Sequence, residues 1–357
     1  MSIDKRLSNY KKSITLFISF FIIVYLANVI FNNELDSFFF KINWFNQSVY
    51  YLNYYDYGFI KRGLIGTVFN IKSSNLTTVS TLLSIFIVII IITLYIKIIL
   101  NEKLVDKQSY LILFGVSPFF FQYLGYDLGR FDHYGICFML LTTYYVITNK
   151  NIFILELIMP FFLLITEVHF FTTIIFFIYI QFLLKRPTRN ITLSFALTFL
   201  ITLIIISVGG MSPELISRNI NNYAIDIYFN RTGFEASIYF WKLILDFGST
   251  GIYRHLLSIF VYIIICFCFF FKFKDQKLIF LFVIYFLIFI LGIDHARFLS
   301  IFLINMVFIA IIKQINFTIN FKFPKFKKFF YFIVLAGPWG VGKAMPIITV
   351  IKKFIVN

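Results

Sequence analysis

The chain has 357 residues, and only 13% are charged, against roughly 25% in a soluble globular protein. That shortfall excludes an ordinary soluble enzyme, and 60% hydrophobic content excludes a disordered chain. The net charge of +16 does not bring in nucleic acid as a partner, because most lysines stand between apolar runs, where they set membrane topology.

The apolar runs are continuous, as in "LLSIFIVIIIITLYI", so they predict transmembrane helices. A β-barrel strand would alternate apolar and polar residues over about 10 positions. The first run covers 13–31 behind a basic N-terminus. It lacks a small-residue cleavage site, so it reads as a first span and not as a signal peptide. Residues 32–77 are too polar to span. Further spans are expected over 78–99, 109–124 and 134–148. The stretch 152–184 would be about 50 Å long as one helix, beyond a hydrocarbon core of about 30 Å. It also carries Glu167 and His169 near its middle. A hairpin turning at "TEVH" removes both difficulties, giving spans over 152–166 and 168–184. A span over 190–208 follows, then a second long polar segment, 209–254. Within it, residues 213–247 read as short amphipathic interfacial helices. Spans over 255–271, 278–293 and 298–313 complete the set. Residues 329–351 form either an eleventh span or a shallow hairpin around "GPWGVGK". The expected fold is all-α: one polytopic bundle over residues 1–357 with about ten or eleven spans.

With the N-terminus in the cytoplasm, 19 of the 32 Lys and Arg fall in cytoplasmic loops and 10 on the opposite side. The bias follows the positive-inside rule for a bacterial inner membrane. It places 32–77 and 209–254 outside, as the two long extracytoplasmic loops. Arginine breaks the pattern. Six of nine (62, 130, 218, 231, 254, 297) lie outside, whereas 16 of 23 Lys lie inside. Topology treats both cations alike, so arginine on the disfavoured side points to chemistry. Its planar fork suits bidentate recognition of phosphate or carboxylate.

The acidic residues and all four histidines also gather at the outer ends of spans. In "YYDYGFIKRGLIGT" (54–67), Lys61 and Arg62 sit among glycines that permit close backbone approach. In "GYDLGRFDH" (125–133), Asp127, Arg130 and His133 are spaced to lie along one helical face, with Asp132 beside them. "TEVH" supplies Glu167 and His169, and "DHAR" supplies Asp294, His295 and Arg297. The 209–254 loop adds Arg218, Arg231 and Arg254. Asp-His and Glu-x-His steps can ligate metal, but no strong ligand spacing is present, so no metal site or other cofactor is expected. Cys137, Cys266 and Cys268 lie in apolar runs without CxxC spacing and imply no disulfide framework. Gly337 to Lys343 fits G-x-x-x-x-G-K, but Ala344 follows where a Walker A loop needs Ser or Thr, so nucleotide binding is set aside.

An outward-facing site has no nucleotide sugar to draw on, so group transfer there needs a donor already activated on a lipid carrier. A polyprenyl-diphosphate glycan has an anionic leaving group for Lys61, Arg62, Arg130, Arg218, Arg231, Arg254 and Arg297 to bind. Its acceptor hydroxyl needs a general base, for which Asp127, Asp132, His133, Glu167, His169, Asp294 and His295 are the candidates.

In whole-chain pattern the protein resembles the Wzy-type O-antigen or capsular polysaccharide polymerases. It shares a Phe/Ile-rich composition, ten to twelve spans and two larger outer loops bearing arginine, with "GFIKRGLIG", "GYDLGRFDH" and "DHAR" resembling their Arg-bearing periplasmic motifs. The resemblance implies transfer of a growing glycan from undecaprenyl diphosphate onto the next lipid-linked repeat unit, with a chain-length regulator as partner. A second reading is a GT-C-type transferase using a polyprenyl-phosphate sugar, for which Glu34-Leu35-Asp36 is placed as the acidic motif of the first outer loop. A third is a flippase or transporter of lipid-linked glycans. Transporters tend to carry ionisable groups at the midplane and related halves, and only Glu156 and Pro160 look like interior features.

Overall fold

The computed structural model describes residues 3–31, 40–42, 44–57, 62–72, 74–115, 117–208, 248–291 and 294–315, with residues 59, 242 and 245. Among them there are helices and no strand. Four helices are long and apolar enough to cross a membrane, over 10–29, 76–99, 188–205 and 255–273. Shorter apolar helices cover 153–165, 170–183, 277–291 and 297–312.

In chain order, α1 (Ile3–Phe31) leads to the short α2 (Trp44–Tyr50), α3 (Tyr54–Tyr57) and α4 (Leu64–Val68). The long α5 (Leu76–Ile99) comes next, then α6 (Lys107–Ser109), running into a π-helical turn at Tyr110–Gly115. The connection continues through α7 (Phe121–Tyr126) to α8 (Asp132–Ile147). A hairpin follows: α9 (Phe153–Ile158), a 3-10 turn, α10 (Phe162–Ile165), a π-helical turn at Phe170–Ile174 and α11 (Ile175–Leu183). The remaining described helices are α12 (Thr188–Val208), α13 (Gly248–Phe273), α14 (Lys277–Leu291) and α15 (His295–Ile312).

The β-branched run of α5 would favour strand in water. In hydrocarbon a lone segment satisfies its backbone groups only as a helix. The exposed Phe195, Phe199, Phe260, Phe267 and Phe280 on α12, α13 and α14 present apolar surface that suits lipid. At the centre α8 is flanked by α5 and α15, while α1 lies along α7. The α1–α7 seam is tight because position 125 is glycine: a Cβ there would stand 2.1 Å from the Val24 carbonyl oxygen. Buried Asn28 closes the seam. Its amide donates to the carbonyls of Gly125 and Lys41, 2.9 Å each, and its oxygen accepts from the Lys41 amide. Deep in the bundle, the Asn305 amide of α15 donates to the Thr172 carbonyl within the second π turn.

Two expected helices differ in form. Residues 109–124 are not one regular helix but a π turn, a break and the short α7. The stretch 152–184 does break at Thr166–His169, with Thr166 extended. Glu156 near the start of the hairpin pairs with Arg186 just past its end (Nε–Oε1 2.5 Å, Nη2–Oε2 2.9 Å), and Asn190 donates to the same carboxylate at 2.9 Å. Glu156, read from sequence as an interior feature, is thus tied to a helix end. A second tie lies at that same end of the bundle. Asp275, between α13 and α14, accepts from Tyr179 at 2.7 Å and from Lys313 at 3.0 Å. The expected interfacial helices of 213–247 and the segment 329–351 lie outside the described residues, as does the Glu34–Asp36 motif.

Candidate functional site

At the other end of the bundle, where α8 and α15 begin, three arginines from distant segments converge. Arg62 precedes α4 and takes Glu167 with two donors, Nε at 3.0 Å and Nη2 closer. Arg130 stands 3.5 Å from Asp127 and 3.4 Å from Asp294. Arg297, in the first turn of α15, stands 3.4 Å from Asp132 and 3.1 Å from Asp294. All three arginines border one cleft, partly open to solvent and with about 50 Å³ of free space, whose other lining includes Asn46, Asp132 and Thr166.

Local chain geometry explains the convergence. Arg62 has φ +67°, a left-handed conformation that costs a non-glycine residue roughly 1–3 kcal/mol and clusters at functional sites. Gly129 has φ +89°, and a Cβ there would lie 2.6 Å from Ile42 Cγ2. That glycine ends any helix through 125–133, so Asp127, Arg130 and His133 do not share one helical face as their spacing suggests. Asp127 closes α7, Arg130 sits in the turn and His133 lies in the first turn of α8. Asn46 of α2 pins the turn through the Leu128 carbonyl at 3.0 Å.

The structure sorts the candidate bases. Asp132 lines the cleft, while Asp127, Glu167 and Asp294 hold the arginines around it. The histidines lie beneath and outside the cleft wall. His133 is buried against the Tyr123 ring, with no hydrogen-bond partner at Nε2. His169 is buried, with Nδ1 3.0 Å from Thr173 Oγ1. His295 is buried with His255 of α13, whose Nδ1 lies 3.0 Å from His295 Nε2, and it stacks on Phe289. Lys61, Arg218 and Arg231 lie outside the described residues, as does the Arg254 side chain. Among the described residues no three potential ligands gather to hold a metal ion.

Sequence reasoning missed Asn46, Thr166 and Tyr123. Tyr123 lies in the field of Asp132 and Asp127, and its buried hydroxyl has no hydrogen-bond partner among the described residues. An Asn in an apolar setting was the available signal for Asn46. For Tyr123, one tyrosine among 22, there was none.

The arginines do not face solvent as free cations. Among the described residues three guanidiniums meet four carboxylates, so with all of them ionised this set is one charge negative. The acids divide under that load. Burial pushes the Asp127 carboxyl above its usual value even with Arg130 beside it. Burial also opposes the Asp294 charge, but Arg297 and Arg130 outweigh it and hold that carboxyl below its usual value.

The signs give a test. The folded-state pKa of Asp127 lies above its unfolded value of 3.8. Its contribution is therefore present below that value and lost as pH rises through the folded-state pKa. Asp294 has the opposite sign: its contribution is present at neutral pH and lost as pH falls through its depressed value. Asp127→Asn cannot ionise, so its melting temperature relative to wild type should rise as pH increases above about 4, the unfolded value. Melts in detergent check this, and a pH-independent difference would contradict the assignment.

No family model, curated protein or solved structure matches this chain.

Proposed function

We propose that the protein is an integral-membrane glycosyltransferase that joins lipid-linked oligosaccharide units at the outer face of a bacterial inner membrane. The observation that carries this reading is the convergence of Arg62, Arg130 and Arg297 on one cleft with Asp132 in its wall. Charge bias supports the orientation: the positive-inside rule puts that end of the bundle outside. The ten or so spans and the two outer loops belong to the same proposal.

In the reaction, the acceptor hydroxyl oxygen bonds to the anomeric carbon of the donor glycan. The bond from that carbon to the diphosphate oxygen breaks, and the diphosphate leaves with the electron pair. Its developing charge falls to the guanidiniums, preorganised donors in a site partly closed to water. The hydroxyl proton passes to a carboxylate, and Asp132 is the candidate in the cleft wall. Undecaprenyl diphosphate is the proposed carrier, with a chain-length regulator as partner.

The test is a gel of lipopolysaccharide or capsule from cells lacking the gene. Collapse of the ladder to core plus one repeat unit is expected. Loss of every repeat unit would favour a flippase or an earlier transferase. A full ladder of altered mobility would favour the GT-C-type reading. Arg→Lys at 62, 130 or 297 should each cut activity by about tenfold or more, since Lys cannot make the two-pronged contact. Full activity in all three would remove the arginines from the mechanism. EDTA should leave the activity of purified protein unchanged, and loss restored by Mg²⁺ or Mn²⁺ would bring a metal into the reaction.

A further inference from the structure

Among the described residues carboxylates outnumber guanidiniums in this cluster, an arrangement that does not invite an anion. For a phosphate group to enter beside Arg130 and Arg297, negative charge has to yield. The four carboxylates are not equally able to do so. Asp127 and Asp132 are buried against Arg130 and Arg297, and Glu167 is gripped by two donors of Arg62. Asp294 is different. Its Oδ2 alone reaches both arginines, at 3.4 Å from Arg130 Nη2 and 3.1 Å from Arg297 Nη1, while 43% of its side chain is exposed. One oxygen between two guanidiniums is the position a phosphoryl oxygen takes when paired arginines bind phosphate.

Each arginine has a second, more deeply buried acid beside it besides Asp294. Arg130 keeps Asp127 at 3.5 Å. Arg297 keeps Asp132 at 3.4 Å and lies 4.8 Å from the centre of the Phe298 ring. Asp294 precedes α15 yet makes no side-chain capping bond, so moving its carboxylate breaks no helix cap. Each arginine thus has a buried carboxylate at ion-pair distance and a shared, part-exposed one that can be exchanged.

We infer that Asp294 is a built-in stand-in for the ligand: its carboxylate holds the position between Arg130 and Arg297 until a phosphate or diphosphate oxygen displaces it. The inference rests on the anion-binding part of the proposed function and adds how the site is kept while empty. A negative group already between the arginines holds the two like charges together. It also raises the threshold for weak anions, so that only a multiply charged group competes well.

The opposite role, in which Asp294 orients the arginines for the ligand, makes the opposite prediction. The experiment is calorimetric titration of inorganic pyrophosphate into the purified full-length protein in detergent. Asp294→Asn should bind pyrophosphate about tenfold tighter than wild type, because it frees guanidinium donors and removes a competing charge. Asp127→Asn removes the other acid beside Arg130, whose charge burial already disfavours, and should gain less than about threefold. Adding Arg297→Lys to Asp294→Asn should abolish the gain. Asn retains good N-cap character, and an unchanged melt would certify the fold of the variant.

Equal or weaker binding by Asp294→Asn, with binding still lost on Arg297→Lys, would overturn the stand-in role and leave the anion site intact. An Asp127→Asn gain matching that of Asp294→Asn would reduce the effect to general charge and also overturn it. No pyrophosphate binding by any variant would remove the anion reading itself. A further arm identifies the source. Displacement of pyrophosphate by phosphatidylcholine vesicles carrying a polyprenyl diphosphate, but not by plain vesicles, supports a lipid-linked occupant. Displacement by neither would support a free phosphate species in the same position and count against glycan transfer.

Discussion

Gly125→Ala should abolish accumulation of folded protein or leave it with a sharply lowered melting temperature. The added Cβ would stand 2.1 Å from the Val24 carbonyl oxygen and 2.9 Å from the Ala27 Cβ. The first of these is backbone and cannot rotate away. Overpacking commonly costs about 1–3 kcal/mol where side chains can adjust, and this site sits above that range. Separating α1 from α7 would also stretch the Asn28 bonds to Gly125 and Lys41. Buried groups left unsatisfied add about 1–3 kcal/mol each. Gly115→Ala is the control. The nearest atoms to its Cβ would be those of the Phe20 ring at 3.2 Å and the Tyr95 ring at 3.4 Å, side chains able to give way by a few tenths of an ångström. Size-exclusion profiles and thermal melts of the two variants should differ clearly. Similar behaviour would mean that the seam is looser than its geometry.

Arg297→Ala should destabilise the protein by about 3–5 kcal/mol, because it strips the guanidinium 3.4 Å away from Asp132, whose side chain is 5% exposed. The second half of the prediction separates structure from chemistry. Adding Asp132→Asn to Arg297→Ala should recover much of the lost stability, since the stranded charge is gone. It should recover no transferase activity, because the variant lacks both a cleft arginine and the proposed proton acceptor. Melting temperature and repeat-unit ladder together check this. Stability that stays low in the double variant would assign Arg297 a packing role, through its contact with Phe298.

The helical class was legible because apolar run length carries that information by itself. The break near Glu167 was legible because a charged pair in the middle of too long a run is untenable in hydrocarbon. The grouping of Arg62, Arg130 and Arg297 with acids followed from a lysine–arginine asymmetry that topology does not produce. What remained hidden depends on three-dimensional pairing. Gly129 turns "GYDLGRFDH" away from one face, and nothing in the spacing reveals a positive φ. The histidines resemble catalytic groups in sequence, yet His169 and His295 are buried packing partners. The π turns at 110–115 and 170–174 leave no mark on composition; the first accepts from Tyr95 at the Tyr110 carbonyl and the second from Asn305 at the Thr172 carbonyl, partners distant in sequence. The neutralisation of the arginines was hidden as well, since a count of outward cations does not say which acids face them.

The two ties at the far end have a mechanical consequence. Glu156–Arg186–Asn190 clamps α9 to the start of α12, and Tyr179–Asp275–Lys313 gathers α11, the α13–α14 turn and the end of α15. Helices fastened at one end move like the arms of tweezers: small angular changes at the clamp become larger separations at the tips. Of the two helices that carry Asp132 and Arg297, α15 is fastened in this way through Lys313, with Arg297 at its far tip, whereas α8, which bears Asp132, packs against α5 and α15. Alternating access would require the clamped end to open, against both charged clamps.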